Sequence, residues 1–197
     1  MLELVNFDFQ NFASSRACEA ILRKMTIIEL AESETILSPG QFQEHLYFIK
    51  KGVVRCYYRS YEMEWTNWFA SEGNFIFSTE SFLYGKPSPE YIQTCSPVAL
   101  YQISRQDYQQ LLDEFPELYE RAFGILQNRL CISEKRMQGY YMQTAYERHE
   151  DFIKTHKNLS NRVKMQHIAS YLGVTPTHLS RIRRKFARKN DDDNATY

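Results

Sequence analysis

The sequence has few of the residues that bind metals or form disulfides. Four cysteines and five histidines are scattered over 197 residues, and no two cysteines form a C-x-x-C pair. This spacing favours neither a zinc site nor a disulfide framework, so we read the cysteines as reduced thiols. Cys18 alone near the N-terminus cannot hold an iron-sulfur cluster. We predict no metal and no cofactor.

Long hydrophobic runs are also missing. No run of about 18 apolar residues occurs, and the first residues, MLELVNFDF, are acidic where a secretory signal needs basic side chains. We therefore predict no contact with a membrane and a cytoplasmic location. A composition that is 43% hydrophobic and 15% aromatic is sufficient for a packed core in one large or two small domains.

The most informative stretch spans residues 165–184 and reads MQHIASYLGVTPTHLSRIRR. One straight helix cannot carry its apolar residues, because Gly173 and the pair Thr175-Pro176 interrupt the pattern. Gly173 suits a left-handed helix end, Thr175 can cap the next helix, and Pro176 is tolerated at its first position. Ala169 leaves room for two helices to cross closely. The stretch resembles the helix-turn-helix DNA-binding motif.

Charge divides the chain into two unlike parts. Residues 157–190 contain nine Lys or Arg and no Asp or Glu, although the whole chain has 24 of each sign. The first 156 residues hold 15 basic and 21 acidic side chains, a net charge of −6. Beside the motif, this asymmetry favours DNA binding. The alternatives are a plain helical hairpin with a solvated basic face, and an interaction protein whose basic end binds RNA or another acidic partner.

Candidate DNA contacts lie on the face of the second helix opposite Leu179 and Ile182. Arg181 is the first candidate for reading a base, because its planar fork matches the two acceptors of guanine; a phosphate contact is the alternative role. The other candidates for base edges are Thr175, Thr177, His178, Ser180 and Arg184. The candidates for phosphate contacts, with simple solvated charge as the alternative, are Lys164, Arg183, Lys185, Arg188 and Lys189.

The first half of the chain has a different pattern. Residues 10–30 read as a helix, and residues 34–100 contain short runs of aromatic and β-branched residues broken by turn signals such as Lys51-Gly52. This pattern predicts an antiparallel roll or barrel. An enzyme of the cupin kind would need several histidines on facing strands, and the strand-rich region supplies only His45. We therefore predict that the protein is not an enzyme.

The run LSPGQFQEHLYFIKKGVVR, residues 37–55, followed by GNFI at 73–76, resembles the β-roll of the cyclic-nucleotide-binding domain in the Crp/Fnr family of bacterial transcription regulators. Gly40, Gly52 and Gly73 match the turn glycines of that roll. The family also places a long helix and then a helix-turn-helix after the roll. The resemblance implies an α+β fold and a homodimer. It also implies two partners, which are RNA polymerase and double-stranded DNA that contains an inverted repeat.

A long helix is predicted from residue 116 to 140, after a short helix over residues 107–115 that ends near Pro116. Two apolar faces need two partners, so one face can rest on the roll and the other on the same helix of a second subunit. Burial within one monomer is the alternative, and the family's dimerising helix favours the dimer. One face carries Leu118, Ile125 and Ile132, which we assign to the dimer interface; the adjacent face carries Phe123, Leu126, Leu130 and Met137.

The chain departs from the family in its phosphate-binding cassette. Members that bind cyclic nucleotides carry Gly-Glu after residues 73–76 and an Arg-Ser or Arg-Thr pair further on, whereas this chain has Phe77-Ser78 and Ser88-Pro89. A buried phosphate needs a cation and closely approaching N–H groups. We therefore predict that cyclic AMP and cyclic GMP do not bind. The candidate pocket for an unidentified small-molecule effector comprises Phe77, Ser78, Ser88, Pro89, Tyr91 and Arg55.

These predictions divide the chain into four parts. Residues 1–115 form the β-roll with flanking helices, 116–140 the dimerisation helix, 141–190 the all-α helix-turn-helix domain, and 191–197 a polar tail. We predict that the β-hairpin wing that usually follows the family's motif is absent, because little more than this tail follows the basic helix in the sequence.

Overall fold

The computed structural model describes residues 13–61 and 63–194, with side chains as far as residue 186. The helices are α1 Ser15–Lys24, α2 Arg105–Glu114, α3 Glu117–Met142, α4 Ala145–Thr155, α5 Met165–Leu172 and α6 Pro176–Asn194. The strands are β1 Thr26–Leu30, β2 Thr35–Leu37, β3 His45–Lys51, β4 Val54–Ser60, β5 Met63–Ala70, β6 Phe75–Ile76, β7 Tyr91–Thr94 and β8 Val98–Ser104. A π-helix, Thr79–Leu83, lies between β6 and β7.

The strands form two antiparallel sheets that enclose one apolar core. One sheet has the order β1-β8-β3-β6 and the other β2-β7-β4-β5. Successive side chains of a strand point to opposite faces, so every second residue enters the core. Ile49 and Leu100 of the first sheet meet Cys56 and Ile92 of the second there, all at 0% exposure. This confirms the predicted α+β fold with an antiparallel β-roll.

The turn between β3 and β4 requires glycine. Gly52 has φ 103°, in the region that side chains resist, and a Cβ atom there would lie 2.5 Å from the carbonyl oxygen of Pro97. Its backbone N–H donates to the Glu72 carboxylate at 2.8 Å. The close approach of the Pro97 backbone therefore fixes the residue type at this turn.

The predicted helix over residues 10–30 is shorter in the structure. Residues 1–12 lie outside the described part, and Ser14 caps α1 by accepting the Ala17 N–H at 3.3 Å. Residues 26–30 form β1, which pairs with residues 98–102 of β8. The backbone hydrogen bonds available from β8 decide this boundary, because the apolar residues alone fit a helix as well.

The long helix follows the roll as predicted. Ser104 caps α2 by accepting the Asp107 N–H at 3.0 Å, and Pro116 separates α2 from α3. α3 is one continuous helix of 26 residues that ends at Met142, two residues beyond the predicted end. α1, α2 and the beginning of α3 enclose an apolar cluster at one end of the roll.

The C-terminal helices pack against the second sheet. Phe152 of α4 and Leu179 of α6 share a buried cluster with Val53 and Phe69 of the roll. α6 continues to Asn194, so residues 191–193, predicted to begin a polar tail, are helical. Among the described residues, none of the helices combines the length and the apolar character that a membrane span requires.

Candidate nucleic-acid interface and the interior of the roll

Two helices, α5 and α6, meet at the turn that the sequence predicts. Gly173 has φ 68°, the left-handed conformation expected at a helix C-terminus. Thr175 accepts the backbone N–H of His178 at 3.2 Å and thereby caps α6, and Pro176 is the first residue of that helix. The local geometry follows from a glycine, a threonine and a proline at fixed offsets.

The side chains between the two helices are fully enclosed. Ala169 of α5 and Leu179 of α6 are 0% exposed, and Leu172 and Ile182 are 3% and 6% exposed. A residue larger than alanine at position 169 would push the helices apart, because a close-packed core cannot take up extra volume without strain. The buried set fixes the angle at which α6 leaves the domain.

The opposite face of α6 is open to solvent. The exposed residues at or near its N-terminus are Thr175, Thr177, His178, Arg181 and Arg184, and Ser180 is half-buried. With respect to the described side chains, neither Arg181 nor Arg184 forms an ion pair. No described carboxylate therefore competes for the five N–H donors of either guanidinium group.

The predicted phosphate contacts do not form one group. Arg183 and Lys185 are exposed on α6, and the Lys185 ammonium lies 5.3 Å from the centre of the Tyr146 ring. The side chains of Arg188 and Lys189 lie outside the described part. Lys164 precedes α5 and points to the roll instead, where its ammonium lies 2.9 Å from the Glu32 carboxylate and 3.3 Å from Ser33.

A second basic residue of this region also binds the roll. Arg162 donates two hydrogen bonds to the Glu72 carboxylate, at 2.6 and 2.8 Å. These bonds lower the pKa of Glu72 to about 2. Part of the positive charge counted in the sequence is therefore neutralised within the molecule. Of the described basic side chains of this stretch without an ion pair, Lys157 precedes α5 and the other four lie on α6.

The edge strand β5 holds α5 through backbone hydrogen bonds. Ser170 Oγ accepts the Thr66 N–H and donates to the Glu64 carbonyl, each at 2.7 Å. Arg136 of α3 donates to the neighbouring carbonyl of Asn67, and Tyr140 donates to the carbonyl of Tyr171 in α5. An edge strand has unpaired backbone groups, and here they bind the C-terminal helices.

Inside the roll, the two halves of the predicted cassette come together. Ser78 and Ser88 are 0% and 3% exposed, and their hydroxyl oxygens lie 3.1 Å apart. The Gln43 side chain accepts the backbone N–H of Ser78 at 2.7 Å. Phe77 is buried in the apolar cluster beside α3, whereas Pro89 is exposed. The arrangement is an enclosed polar floor, and neither half of the cassette supplies a cation.

Residues 27–115 match the cyclic nucleotide-binding domain. These are the residues from β1 to the end of α2, including the cassette. No curated protein sequence matches the chain at a significant level.

Solved structures of Crp/Fnr-type regulators share the fold over most of the chain. FixK2 from Bradyrhizobium japonicum superimposes with a TM-score of 0.75 at 17% identity, covering 84% of this chain and 86% of its own. The c-di-GMP responsive global regulator CLP from Xanthomonas campestris gives 0.71 at 17%, covering 90% and 93%. A mutant of CooA from Carboxydothermus hydrogenoformans gives 0.69 at 16%, covering 86% and 79%.

Two residues assigned to the effector pocket lie on the outer side of the roll's second sheet. Cys56 and Ile92 face the core, so their neighbours Arg55 and Tyr91 face outward. Arg55 is 2% exposed and donates to the Glu64 carboxylate at 2.7 Å and to the Gln93 amide oxygen at 2.8 Å. It cannot serve as a phosphate partner for Ser78 and Ser88.

Two charged residues beside this polar floor were not predicted from the sequence. Glu90 is 3% exposed, one of its carboxylate oxygens has no hydrogen-bond partner, and burial raises its pKa. Arg129 of α3 donates to the carbonyl of Phe77 at 3.1 Å and lies over that ring at 4.7 Å. A signal existed for Arg129, since it follows Ile125 by one helical turn on the same face. The strand pattern of the sequence gave no such signal for Glu90.

Of the three residues of α3 predicted to face a second subunit, Leu118 and Ile125 turn toward the roll, and Ile132 is half-buried. Leu118 is 5% exposed and packs in the apolar cluster at the end of the roll, and the half-buried Ile125 lines a cavity beside it. The face turned away carries Phe123, Leu130 and Met137 at 60%, 59% and 52% exposure. A repeat of seven residues identifies a face, and it does not identify which partner covers that face.

Proposed function

We propose that the chain is a sequence-specific DNA-binding transcription regulator that acts as a dimer and does not respond to cyclic AMP. The observation that carries the proposal is the solvent-open face of α6. There Arg181 and Arg184 lie opposite the buried Leu179 and Ile182, on a helix that begins at a capped turn. The shared fold with Crp/Fnr-type regulators, over most of each chain, supports the same reading.

The chemistry of this face suits the major groove. An arginine can donate two parallel hydrogen bonds to guanine, and Arg181 has no competing carboxylate among the described side chains. Arg183 and Lys185 flank it and can neutralise phosphates, which adds affinity without sequence preference. The threonines Thr175 and Thr177 sit at the helix N-terminus, where backbone N–H groups also attract phosphate oxygens.

The exposed side of α3 supplies the two-fold axis in this proposal. Phe123, Leu130 and Met137 follow one another at seven-residue intervals, the spacing at which two helices pack as a coiled coil. A dimer formed there would present two α6 helices to DNA. The binding site should then be an inverted repeat with half-sites about 34 Å apart.

The DNA-binding test is a selection of sites from random duplexes by the purified protein, with no ligand added. We expect an inverted repeat. Arg181→Ala should relax the preference at one symmetric base position, whereas Lys185→Ala should weaken all sequences alike and reduce the salt dependence of binding. A selected site without two-fold symmetry would contradict the dimer, and equal affinity for single-stranded RNA or DNA would contradict duplex recognition.

The prediction for cyclic AMP rests on charge inside the roll. A cyclic phosphate on Ser78 and Ser88 would lie close to the Glu90 carboxylate, and Arg129 is the one described cation that faces Glu90. The Arg129 guanidinium already donates to the backbone carbonyl of Phe77. Adding a second anion to a buried carboxylate is costly, because burial weakens the solvation of both charges.

Calorimetric titration with cyclic AMP tests this point, and we expect no saturable heat below about 10 μM ligand. Glu90→Gln is the informative variant, because it removes the negative charge and keeps the shape of the side chain. Weak binding that appears only in Glu90→Gln would support the electrostatic reason. Saturable binding to the unchanged protein in this range would overturn the prediction.

A further inference from the structure

An apolar cavity of about 80 Å³ lies between the roll and α3. Phe77 and Phe82 form its wall on the roll side, and Leu111 of α2 closes one end. Ile125 and Leu126 of α3 form the opposite wall. It is a different place from the polar floor of Ser78 and Ser88, since Phe77 lies between the two.

The lining chemistry excludes charged occupants. Among the described residues that line it, Tyr108 alone carries a hydroxyl group, and none has a charged or amide side chain. Water needs two to four polar partners to occupy such a space, so an apolar cavity of this kind stays dry and takes up apolar molecules. The volume is roughly half that of an engineered cavity that binds benzene.

The cavity is bordered by an unusual helix. Phe82 and Leu83 belong to the π-helix Thr79–Leu83, and π-helical turns occur frequently at functional sites. Leu83 and Ile125 are half-buried, and the cavity is partly open, so a small molecule has a route in. The site is therefore accessible without unfolding the roll.

The position of the cavity connects it with the C-terminal helices. Ala122, Ile125 and Leu126 of α3 form one wall, and the far end of the same helix carries Arg136 and Tyr140, which bind β5 and α5. A molecule that fills the cavity contacts a helix that also holds the candidate DNA-binding unit. The link between the cavity and DNA affinity rests on the proposed function, whereas the binding of a molecule in the cavity does not.

We propose that this cavity is an effector site for an uncharged apolar molecule, and that its occupant is the end of a short alkyl chain. The aromatic and aliphatic lining provides dispersion contacts, and no cation is present there to bind a carboxylate or phosphate. Occupation would press on the α3 wall and change the affinity for DNA through α3.

The test uses the full chain with ¹³C-labelled Ile and Leu methyl groups, titrated with xenon, with 1-butanol and with butyrate. Xenon and butanol should shift the methyl signals of Ile125, Leu126 and Leu111 saturably, whereas butyrate should not. Leu126→Phe should weaken both apolar probes by about tenfold or more, because the larger ring fills the space. Leu22→Phe is the matched control, since Leu22 is 50% exposed on α1 and does not line the cavity.

Three results would overturn the proposal: no saturable methyl shift in the unchanged protein, equal binding of butyrate, or equal loss in the Leu126 and Leu22 variants. If Leu126→Phe does not fold, Ala122→Leu fills the same cavity from the same helix and replaces it. The titration is made without DNA, so its result stays valid even if the protein does not bind DNA. A butanol-dependent DNA affinity that Leu126→Phe abolishes would then support the effector role.

Discussion

The exposed stripe of α3 provides the sharpest test of the assembly. Phe123→Glu combined with Leu130→Glu should dissociate the dimer, because the two side chains lie on the face turned away from the roll, at 60% and 59% exposure. In a two-fold dimer, each change is present twice. Four apolar side chains are lost from the interface, and four carboxylates would have to be buried there.

The magnitude follows from the exposed fractions. Burying one Leu or Phe side chain completely contributes about 1.5 to 3 kcal/mol, so the exposed 60% contributes about 1 to 1.8 kcal/mol. Four side chains give about 4 to 7 kcal/mol, which corresponds to a dissociation constant weakened about 10³- to 10⁵-fold. Repulsion between the carboxylates adds to this loss, since charges in an apolar seam cannot be solvated.

Sedimentation velocity over a range of protein concentrations measures the effect. The matched control is Leu22→Glu with Ile27→Glu, which adds the same charge at apolar residues of α1 and β1 that are 50% and 49% exposed. We expect monomers from the α3 variant and dimers from the control. An unchanged dimer mass in the α3 variant, with a normal melting curve, would show that this stripe is not the interface.

Three further predictions concern stability. Leu179→Ala should cost about 2 to 5 kcal/mol in urea unfolding because the residue is 0% exposed; a loss below about 1 kcal/mol would contradict its place in the core. Gly173→Ala should destabilise by about 1 to 2 kcal/mol, since φ is 68° and a Cβ would lie 2.9 Å from the Tyr140 ring. Gly124→Ala, in open space on α3, should instead be neutral or stabilising by up to about 1 kcal/mol, and a reversed order in thermal melts would refute the argument. Burial lowers the pKa of His156 from 6.5 to about 4. Between these two pH values the unfolded state binds more protons than the folded state, so the melting temperature should fall as the pH is lowered from about 6.5 to about 4. His156→Gln should flatten that dependence, and an unchanged slope would count against it.

The local features of the candidate site were readable from the sequence. Gly173, Thr175 and Pro176 set the turn through backbone angles, one hydroxyl and a missing N–H, and all three effects act within a few residues. The alternation of strands and the length of α3 were equally local. The sequence by itself therefore determined the order of elements, the two-helix turn and the open basic face of α6.

The tertiary structure alone decided which partner each side chain meets. Lys164 and Arg55 look like free cations in the sequence, but Glu32 and Glu64 bind them from distant elements. Periodicity showed that α3 has two apolar faces, and only the packing of Leu118 under the roll showed which face is taken. The physical reason is that pairing and burial depend on residues brought together by the whole fold, whereas propensity and capping depend on neighbours along the chain.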